Sequence, residues 1–192
     1  MKKCMFFIGA LVLVIMLTAC ATNRASSTTT EPERKMLIVY YSLTGNGKFV
    51  AEYIQSLTGA DVFEIKPVEP YSVEFAVTLE RAIREREAGI LPQLIGRVDN
   101  LADYDVIFLG TPNWFGTLSL PFLSFLNSHD LSGKTIVPVI MFGMGGLQNT
   151  ITDLKAALPY STFLEEFGSS SSNVRNSQPE ILQWLDRIGV LR

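Results

Sequence analysis

The segment from Met36 to Lys48 (MLIVYYSLTGNGK) constrains the fold more than any other part of this sequence. It opens with six consecutive apolar or aromatic residues, Met36 to Tyr41, a run typical of a strand that is buried on both faces of a parallel sheet. Apolar residues then recur with helical spacing from Phe49 to Leu57, and Gly59 is well placed to end that helix. A buried strand, a short polar loop and a helix follow one another, as in an α/β fold.

The loop between this strand and this helix has the composition of an anion-binding turn. The first turn of a helix leaves backbone N–H groups without partners and carries partial positive charge, which suits a phosphate. The loop matches neither GxxxxGK[ST] nor GxGxxG, and an ordinary strand-to-helix turn is the alternative interpretation. The candidate phosphate-binding residues are Ser42, Thr44, Gly45, Asn46, Gly47 and Lys48.

Further apolar runs, with helical periods between them, continue this alternation along the chain. Asp105–Gly110 (DVIFLG) and Lys134–Phe142 predict central strands, although Pro138 has no N–H for a ladder and requires a bulge or a local break in pairing. Weaker strands are predicted at Asp61–Ile65 and Ser161–Phe167. The other predicted helices are Glu74–Ala88, a helix that Ser119 caps, Thr150–Leu158 and a helix that starts at Ser177.

Five strands that alternate with five helices predict an α/β fold, a three-layer doubly wound sandwich around one five-stranded parallel sheet. Two strand orders are common in such sheets, and the order 2-1-3-4-5 fits five strands. In that order a ligand binds at the carboxyl ends of strands 1 and 3, and strand 4 lies beside strand 3. The loops that follow strands 1, 3 and 4 are therefore expected to meet at one edge of the sheet.

The loops after strands 3 and 4 have a composition that suits a flat polar ring. Trp114 or Phe115 would stack on such a ring, and the glycines would let backbone N–H and C=O groups reach its polar edge. An ordinary core or loop aromatic is the alternative interpretation for both residues. The candidate residues are Thr111, Pro112, Asn113, Trp114, Phe115 and Gly116 in the second loop, and Gly143, Met144, Gly145 and Gly146 in the third.

Two of these segments resemble a known family. YYSLTGNGKFVAEYI is similar to the first loop of flavodoxins, in which a Ser/Thr-x-Thr-Gly-Asn-Thr pattern holds the phosphate of flavin mononucleotide (FMN). DVIFLGTPNWFGTLSLPFLSFL resembles the second flavin loop of a flavodoxin-like family with the pattern D-x-I-x-x-G-x-P-x-W-x-G-x-x-x-x-P. The residues that match this pattern are Asp105, Gly110, Pro112, Trp114, Gly116 and Pro121.

The sequence departs from the family pattern in two places. Gly47 stands where the first loop usually has a second threonine, so one side-chain hydroxyl is absent. The third loop, Phe142–Gly146, replaces a Thr-His-Gly-Gly type of loop and lacks its histidine, which would otherwise be a proton donor near the flavin.

The resemblance runs from Met36 to the C-terminus and implies a flavodoxin-like fold with FMN as the cofactor. It implies an electron-transfer protein, which is either a one-electron carrier or an NAD(P)H-dependent oxidoreductase. The expected partner is a redox protein or a small-molecule acceptor such as a quinone. A second hypothesis remains open, namely a binding module that has kept the fold, lost the flavin and uses the pocket for another anion or a protein partner.

The first 20 residues have the composition of an export signal. Lys2 and Lys3 precede an apolar stretch, Met5–Leu17, which is short for a membrane span. Leu17-Thr18-Ala19-Cys20 resembles the lipobox of bacterial lipoproteins, in which the cysteine is acylated and becomes the new N-terminus. The resemblance implies an exported lipoprotein, anchored through Cys20 on the periplasmic or outer face of a bacterial membrane. A plain cleaved signal or an uncleaved anchor is the alternative.

Composition bounds the remaining function classes. Residues 21–34, rich in Ser and Thr, predict a flexible tether, and residues 35–192 have the size of one domain. Without Lys2 and Lys3 the formal net charge falls from −3 to −5, which argues against nucleic acid as a partner. Cys4 would leave with the signal and Cys20 would carry lipid, so a disulfide, a cysteine nucleophile and a zinc–thiolate site are not expected.

Three other side chains are given positions by their spacing or by their neighbours in sequence, and His129 is assigned no role. His129, in a polar turn, is expected at the surface. Trp184 falls on the polar side of the last helix by its spacing and is expected to be a packing residue or an oligomer contact. Phe75 is assigned to the core-facing side of its helix, together with Leu79, Ala82 and Ile83.

Overall fold

The apolar runs form the strands of one sheet in a computed structural model, which describes residues 34–191. The predicted signal segment and the predicted tether up to residue 33 lie outside the described residues. The strands are β1 (Met36–Tyr40), β2 (Asp61–Glu64), β3 (Val106–Trp114), β4 (Thr117–Leu118), β5 (Thr135–Phe142), β6 (Thr162–Phe163) and β7 (Phe167–Ser170). The α-helices are α1 (Asn46–Thr58), α2 (Phe75–Glu87), α3 (Leu120–Ser128), α4 (Thr150–Ala157) and α5 (Gln178–Arg187). Short 3₁₀ turns lie at Leu101–Asp103 and Val174–Asn176.

The strand order confirms the doubly wound prediction. The sheet runs β2-β1-β3-β5-β6 with parallel pairing throughout, and β7 also pairs in parallel with β5. Of the predicted fifth strand, Ser161–Phe167, only the short β6 is present, and β7 begins at its last residue and continues three residues beyond it. The remaining strand, β4, is a short antiparallel arm on the end of β3. Without that arm, the order is the predicted 2-1-3-4-5.

Pro138 lies in the middle of β5 without a bulge on the β3 side, where it is aligned with Leu109. Ile136 lies two residues before Pro138, and Phe142 lies four residues after it. Both accept backbone hydrogen bonds from the edge side of the sheet: Leu164 N donates to Ile136 O, and Ser171 N donates to Phe142 O. The alternation of a strand therefore turns the Pro138 nitrogen toward that edge. The edge strand is interrupted there, between β6 and β7. No carbonyl of the edge strand therefore loses a donor because Pro138 has no N–H.

Helices cover both faces of the sheet and divide the core into two layers. Alternate residues of β1 point to opposite faces, with Leu37 and Val39 on one side and Ile38 and Tyr40 on the other. The first side packs against α2, α3 and α4, and the second against α1 and α5. No helix within residues 34–191 is both long and apolar enough to cross a membrane.

Predictions of burial from helical spacing are wrong at Phe75, at Ile83, which is 39% exposed, and in the polar face given to Trp184. Phe75, assigned to the core, is 78% exposed, because it begins α2 and the core contacts of that helix start one turn later at Thr78 and Ala82. Trp184, placed on the polar side of α5 by its spacing, is 1% exposed, so that face is wrong and the alternative of a packing residue is confirmed. It packs against Phe108 and Phe167, and its indole N–H donates to Glu165 O at 3.0 Å.

Ser119, predicted to cap its helix, and Thr150 and Ser177, predicted to begin theirs, form other bonds. None of the described helices has a side-chain bond at its N-cap. Ser119 Oγ lies 2.9 Å from Thr111 Oγ1, which ties the start of α3 to β3. Thr150 and Ser177 each donate to a carbonyl three residues earlier, at 2.7 Å in both cases. These hydroxyls therefore fix the preceding turns instead of the first N–H groups of the helices.

His129 is half-buried, which corrects the prediction of a surface residue. Its ring stacks on Phe125 with the centroids 4.0 Å apart, and its Nε2 accepts a bond from Val98 N at 3.1 Å. Nδ1 lies 2.9 Å from Phe125 O, so the neutral ring with its proton on Nδ1 satisfies both contacts. Burial lowers the pKa of His129 below its ordinary value, mainly because the charged ring loses hydration.

This environment predicts that acid weakens the fold through His129. A histidine whose pKa is lower in the folded than in the unfolded state contributes stability above its unfolded pKa, about 6.5. That contribution is lost as the pH falls from there through the folded pKa. The free energy of unfolding should therefore fall more steeply below about pH 6.5 for the native chain than for His129→Gln, as measured by urea denaturation across this range.

The chain has one histidine, so its imidazole protons report a single titration by NMR. A midpoint at or above the unfolded value, or equal slopes for the two proteins, would contradict this account.

Candidate functional site

A cavity of about 300 Å³ opens at the carboxyl ends of β1, β3 and β5, where the switch in strand order predicts a ligand site. Its volume lies at the lower end of the range for small-molecule sites. The three loops singled out in the sequence meet there. The lining residues are Tyr41, Ser42, Leu43, Thr44, Asn46, Gly47, Phe75, Pro112, Asn113, Trp114, Met141, Gly143 and Ser171.

The first loop brings an unsatisfied hydroxyl to the N-terminus of α1. Ser42 Oγ is buried and has no hydrogen-bond partner. Gly45, at the N-cap, has a φ of +82°, and its carbonyl accepts the bond from Phe49 N that opens the helix. A buried hydroxyl without a partner costs free energy, so its position beside free helical N–H groups fits a missing acceptor such as a phosphate oxygen.

Gly47 is required by the close packing of this loop. A Cβ at this position would lie 3.0 Å from Tyr41 O and 3.3 Å from Ser42 Cβ, which is tighter than ordinary contacts. The departure from the threonine of the flavodoxin pattern therefore accompanies a compact loop, in which a larger side chain would have to displace backbone.

The second loop differs from the prediction, because β3 does not end at Gly110. Thr111 and Pro112 continue the parallel pairing with β5, and Asn113 and Trp114 pair with β4. The turn itself has only two residues, Phe115 and Gly116, with φ values of +54° and +80°. Positive φ at both central residues is the signature of a type I′ hairpin, which usually has Asn-Gly there. A phenylalanine in this conformation is strained.

Asn113 joins the second loop to the third. Its Nδ2 donates to Gly146 O and Leu147 O, both at 3.0 Å, and its Oδ1 accepts a bond from Gly116 N at 2.9 Å. Both polar groups of the side chain are thus engaged within the protein. Asn113 lines the cavity as predicted, but its side-chain amide forms hydrogen bonds that connect the second loop to the third.

Three aromatic rings form a wall at the cavity, of which Tyr41 and Trp114 line it and Tyr71 packs against both. The Trp114 ring meets the rings of Tyr41 and Tyr71 edge to face, with centroids 5.7 Å and 5.0 Å away. Tyr71 is held in turn by α2: its hydroxyl donates to Glu85, and the Arg81 guanidinium lies 4.0 Å from its ring centroid. These contacts restrict the indole to one orientation before any ligand arrives.

The tyrosines of this wall are neutral at physiological pH. Burial is the largest influence on both side chains and raises the pKa of Tyr41 and of Tyr71 well above the ordinary value. The hydrogen bond to Glu85 raises the pKa of Tyr71 further. None of the lining residues of the cavity carries a charge at neutral pH. The wall is therefore an uncharged surface with hydroxyl groups at its edge.

The structure brings together eight of the residues predicted from the sequence. Those that line the cavity are Ser42, Thr44, Asn46, Gly47, Pro112, Asn113, Trp114 and Gly143. The others lie around it: Gly45, Lys48, Thr111, Phe115, Gly116, Met144, Gly145 and Gly146. Among these, Lys48 pairs with Glu52 at 3.8 Å, and the Gln148 side chain packs against Gly116 and Gly145. Met144 is fully exposed.

Five lining residues were not predicted: Tyr41, Leu43, Phe75, Met141 and Ser171. Tyr41 and Met141 end apolar runs and were counted as strand interior, and Phe75 was assigned to the core by its helical spacing. Ser171 belongs to a polar loop with no motif. For the first two, the position at the carboxyl end of a strand next to a candidate loop was a usable signal.

A second cavity of about 300 Å³ adjoins the first and is mostly apolar. The two share Leu43, Thr44, Phe75, Asn113 and Trp114. Residues found only in the second are Val73, Thr78, Leu79, Ala82 and Phe115. Val73 and Phe75 are among the most exposed apolar side chains in the described part of the chain. The aromatic wall therefore continues into an apolar surface that is open to a second molecule.

Comparison with known proteins gives relatives of one kind. A crystal structure from Bacteroides eggerthii, provisionally described as a flavoprotein, is 30% identical and covers 81% of this chain and 98% of its own, with a TM-score of 0.69. A flavoprotein in complex with FMN from Lactobacillus acidophilus is 21% identical and covers 74% of this chain and 97% of its own, with a TM-score of 0.61. At 21% identity, the similarity to the Lactobacillus acidophilus protein shows a shared fold alone.

A curated relative from Syntrophobacter fumaroxidans, named NAD(P)H dehydrogenase (quinone), is 28% identical over 134 residues. The match includes 68% of this chain and 63% of the relative, so the chain spans less than two thirds of that protein.

A family model described as Flavodoxin matches residues 35–188. This match begins at the residue before β1, includes all three loops of the site and ends one residue after α5. This chain therefore belongs to the flavodoxin family.

Proposed function

We propose that this chain binds FMN at the carboxyl edge of its sheet and transfers electrons through it. The observation that carries the proposal is the first loop, where the buried Ser42 hydroxyl lacks a partner beside the N-terminus of α1. A rigid aromatic wall stands in the same cavity. An anion site and a flat apolar wall together match the two halves of a flavin nucleotide. The FMN complex of the Lactobacillus acidophilus flavoprotein supports this cofactor.

Each part of the site has a definite task in this proposal. Ser42, Thr44 and Asn46, with the N–H groups of the first turn of α1, would hold the phosphate. Trp114 would present its indole to the flavin ring, and Gly143 would let the third loop come close to it. When bound, FMN supplies one-electron and two-electron redox chemistry. The uncharged lining disfavours added negative charge, which should lower the reduction potential of a bound flavin.

We infer that the electron acceptor is an apolar ring compound of the quinone class. The apolar cavity next to Trp114 offers room for such a molecule beside the cofactor site. The name of the Syntrophobacter fumaroxidans relative, NAD(P)H dehydrogenase (quinone), supports this class. The activity would then be that of a flavin-dependent reductase, and NAD(P)H is the corresponding donor. A redox protein as the partner would make the chain an electron carrier on the same site.

We propose further that the protein is exported and anchored by lipid. The lipobox-like segment Leu17–Cys20 motivates this. In cells of a bacterial host fed with a labelled fatty acid, the native chain should incorporate label and partition into detergent, whereas Cys20→Ala should do neither. Labelling that persists in Cys20→Ala would contradict the anchor, and so would an unlabelled native chain.

The cofactor proposal is tested with residues 21–192, which contain all of the described domain. The purified protein should be yellow and release FMN when denatured. In the flavin-free protein, Ser42→Ala should weaken FMN binding roughly tenfold or more, because it removes one hydrogen bond to a charged group, and should leave riboflavin binding unchanged. Fluorescence titration measures both affinities.

Ser169→Ala is a matched control, because Ser169 Oγ is also buried without a partner but Ser169 does not line the cavity. It should not change the affinity for FMN. A colourless protein that ignores added FMN would contradict the proposal and support a binding module that has kept the fold. Equal losses for FMN and riboflavin in Ser42→Ala would contradict the phosphate assignment.

The strained turn at the mouth of the apolar cavity gives another test. Phe115→Asn replaces a bulky residue at φ +54° with one that tolerates this conformation, and should raise the free energy of unfolding by about 0.5–1 kcal/mol. If the Phe115 ring contacts the bound acceptor, the same variant should raise the KM for a quinone substrate.

Gly116→Ala is the control in the same turn. Its φ of +80° and a Cβ that would lie 2.1 Å from Gln148 Oε1 predict a loss of stability instead. A stability decrease in Phe115→Asn, measured by urea denaturation, would show that the ring contributes more than its backbone strain costs.

A further inference from the structure

A fourth loop, residues 171–176, contacts the first loop at the anion site. Asn46 Nδ2 donates to Ser171 O, and Arg175 Nη2 donates to Gly45 O, both at 3.4 Å. Ser171 also lines the cavity. This polar loop therefore borders the candidate phosphate site.

The charge of Arg175 has no counterpart there. Its guanidinium lies 4.7 Å from the centroid of the Phe49 ring, in the first turn of α1. Among the described residues no carboxylate lies within salt-bridge distance of Arg175, and the first turn of α1 has no acidic residue. A cation at the N-terminus of a helix opposes the partial positive charge of the helix. This repulsion opposes the hydrogen bond to Gly45 O and the contact with the Phe49 ring, and a bound anion would offset it.

Two independent observations thus indicate an anion at this place. Ser42 offers a buried hydroxyl without a partner, and Arg175, which bonds to Gly45 of the same loop, offers a side chain without an opposite charge. A Cβ at Gly45 would lie 3.6 Å from Arg175 Nη2, so the guanidinium reaches the backbone that would cradle a phosphate. A guanidinium offers several N–H groups to phosphate oxygens, and it remains charged at any physiological pH.

We propose that Arg175 is a specificity-determining residue that pairs with the phosphate group of the bound flavin and sets the preference for FMN over riboflavin. The inference rests on the proposed FMN site. Arg175 lies outside the cavity lining, at an exposed position, so its contribution is mainly electrostatic and depends on ionic strength. The fourth loop would then attract the phosphate through the charge of Arg175, while the first loop supplies the hydrogen bonds.

The test compares FMN and riboflavin binding in flavin-free native protein, Arg175→Gln and Arg175→Lys. Arg175→Gln should weaken FMN binding roughly fivefold, the size of one partly exposed ion pair, and leave riboflavin binding unchanged. Added salt should weaken FMN binding by the native protein more than by Arg175→Gln, whereas Arg175→Lys should keep most of the salt dependence. Arg97→Gln, which removes an exposed arginine paired with Asp99, is the matched control and should have no effect.

The outcomes separate this inference from the cofactor proposal. Unchanged FMN affinity in Arg175→Gln, or equal losses for FMN and riboflavin, would overturn the inference and leave the FMN site intact. If the native protein does not bind FMN, the cofactor proposal fails, and inorganic phosphate then becomes the probe. A phosphate-induced rise in Tm that Arg175→Gln loses would support the attraction of an anion by Arg175, and equal shifts in the two proteins would overturn it.

Discussion

The close approach of β1 and β3 at their carboxyl ends determines where the other parts of the site lie. Tyr41 N donates to Gly110 O at 2.9 Å, and a Cβ at Gly110 would lie only 2.9 Å from Tyr40 Cβ. Any side chain there would separate the two strands at the point where the first and second loops leave the sheet. Because parallel strands end at one edge, this single contact brings the anion loop and the aromatic wall together. The edge-to-face contact between Tyr41 and Trp114, with centroids 5.7 Å apart, adds a second link between the same two segments.

Sequence patterns predicted the fold well because its central strands are long, uninterrupted apolar runs. Three such runs fixed β1, β3 and β5, and rules for crossover connections left few possible strand orders. The end of β3 could not be predicted, since Pro112 and Asn113 are typical loop residues. Pairing with β5 and β4 decides their conformation, and that pairing is a property of the folded chain. The burial of Trp184 was missed for the same reason, since helical spacing ignores what the neighbouring strands provide.

The candidate site was predictable only where a motif marks it. The first loop and Trp114 lie in recognisable patterns, whereas Phe75 and Ser171 reach the cavity from segments that have none. Arg175 is the extreme case, because it bonds to Gly45 from 130 positions further along the chain. No local pattern relates two such residues. The functional interpretation of Asn113 also changed, since its side chain holds two loops together and does not point freely at a ligand.

The interrupted border of the sheet has a consequence for behaviour at high concentration. A continuous, flat outermost strand offers unpaired backbone groups to a neighbouring molecule and favours fibrous association. Here that strand consists of two short pieces with a gap opposite a proline, and neither piece exceeds four residues. The border therefore makes a poor template for extending the sheet between molecules. A protein with this edge can be held densely, for instance side by side on a surface, with little tendency to polymerise through its strands.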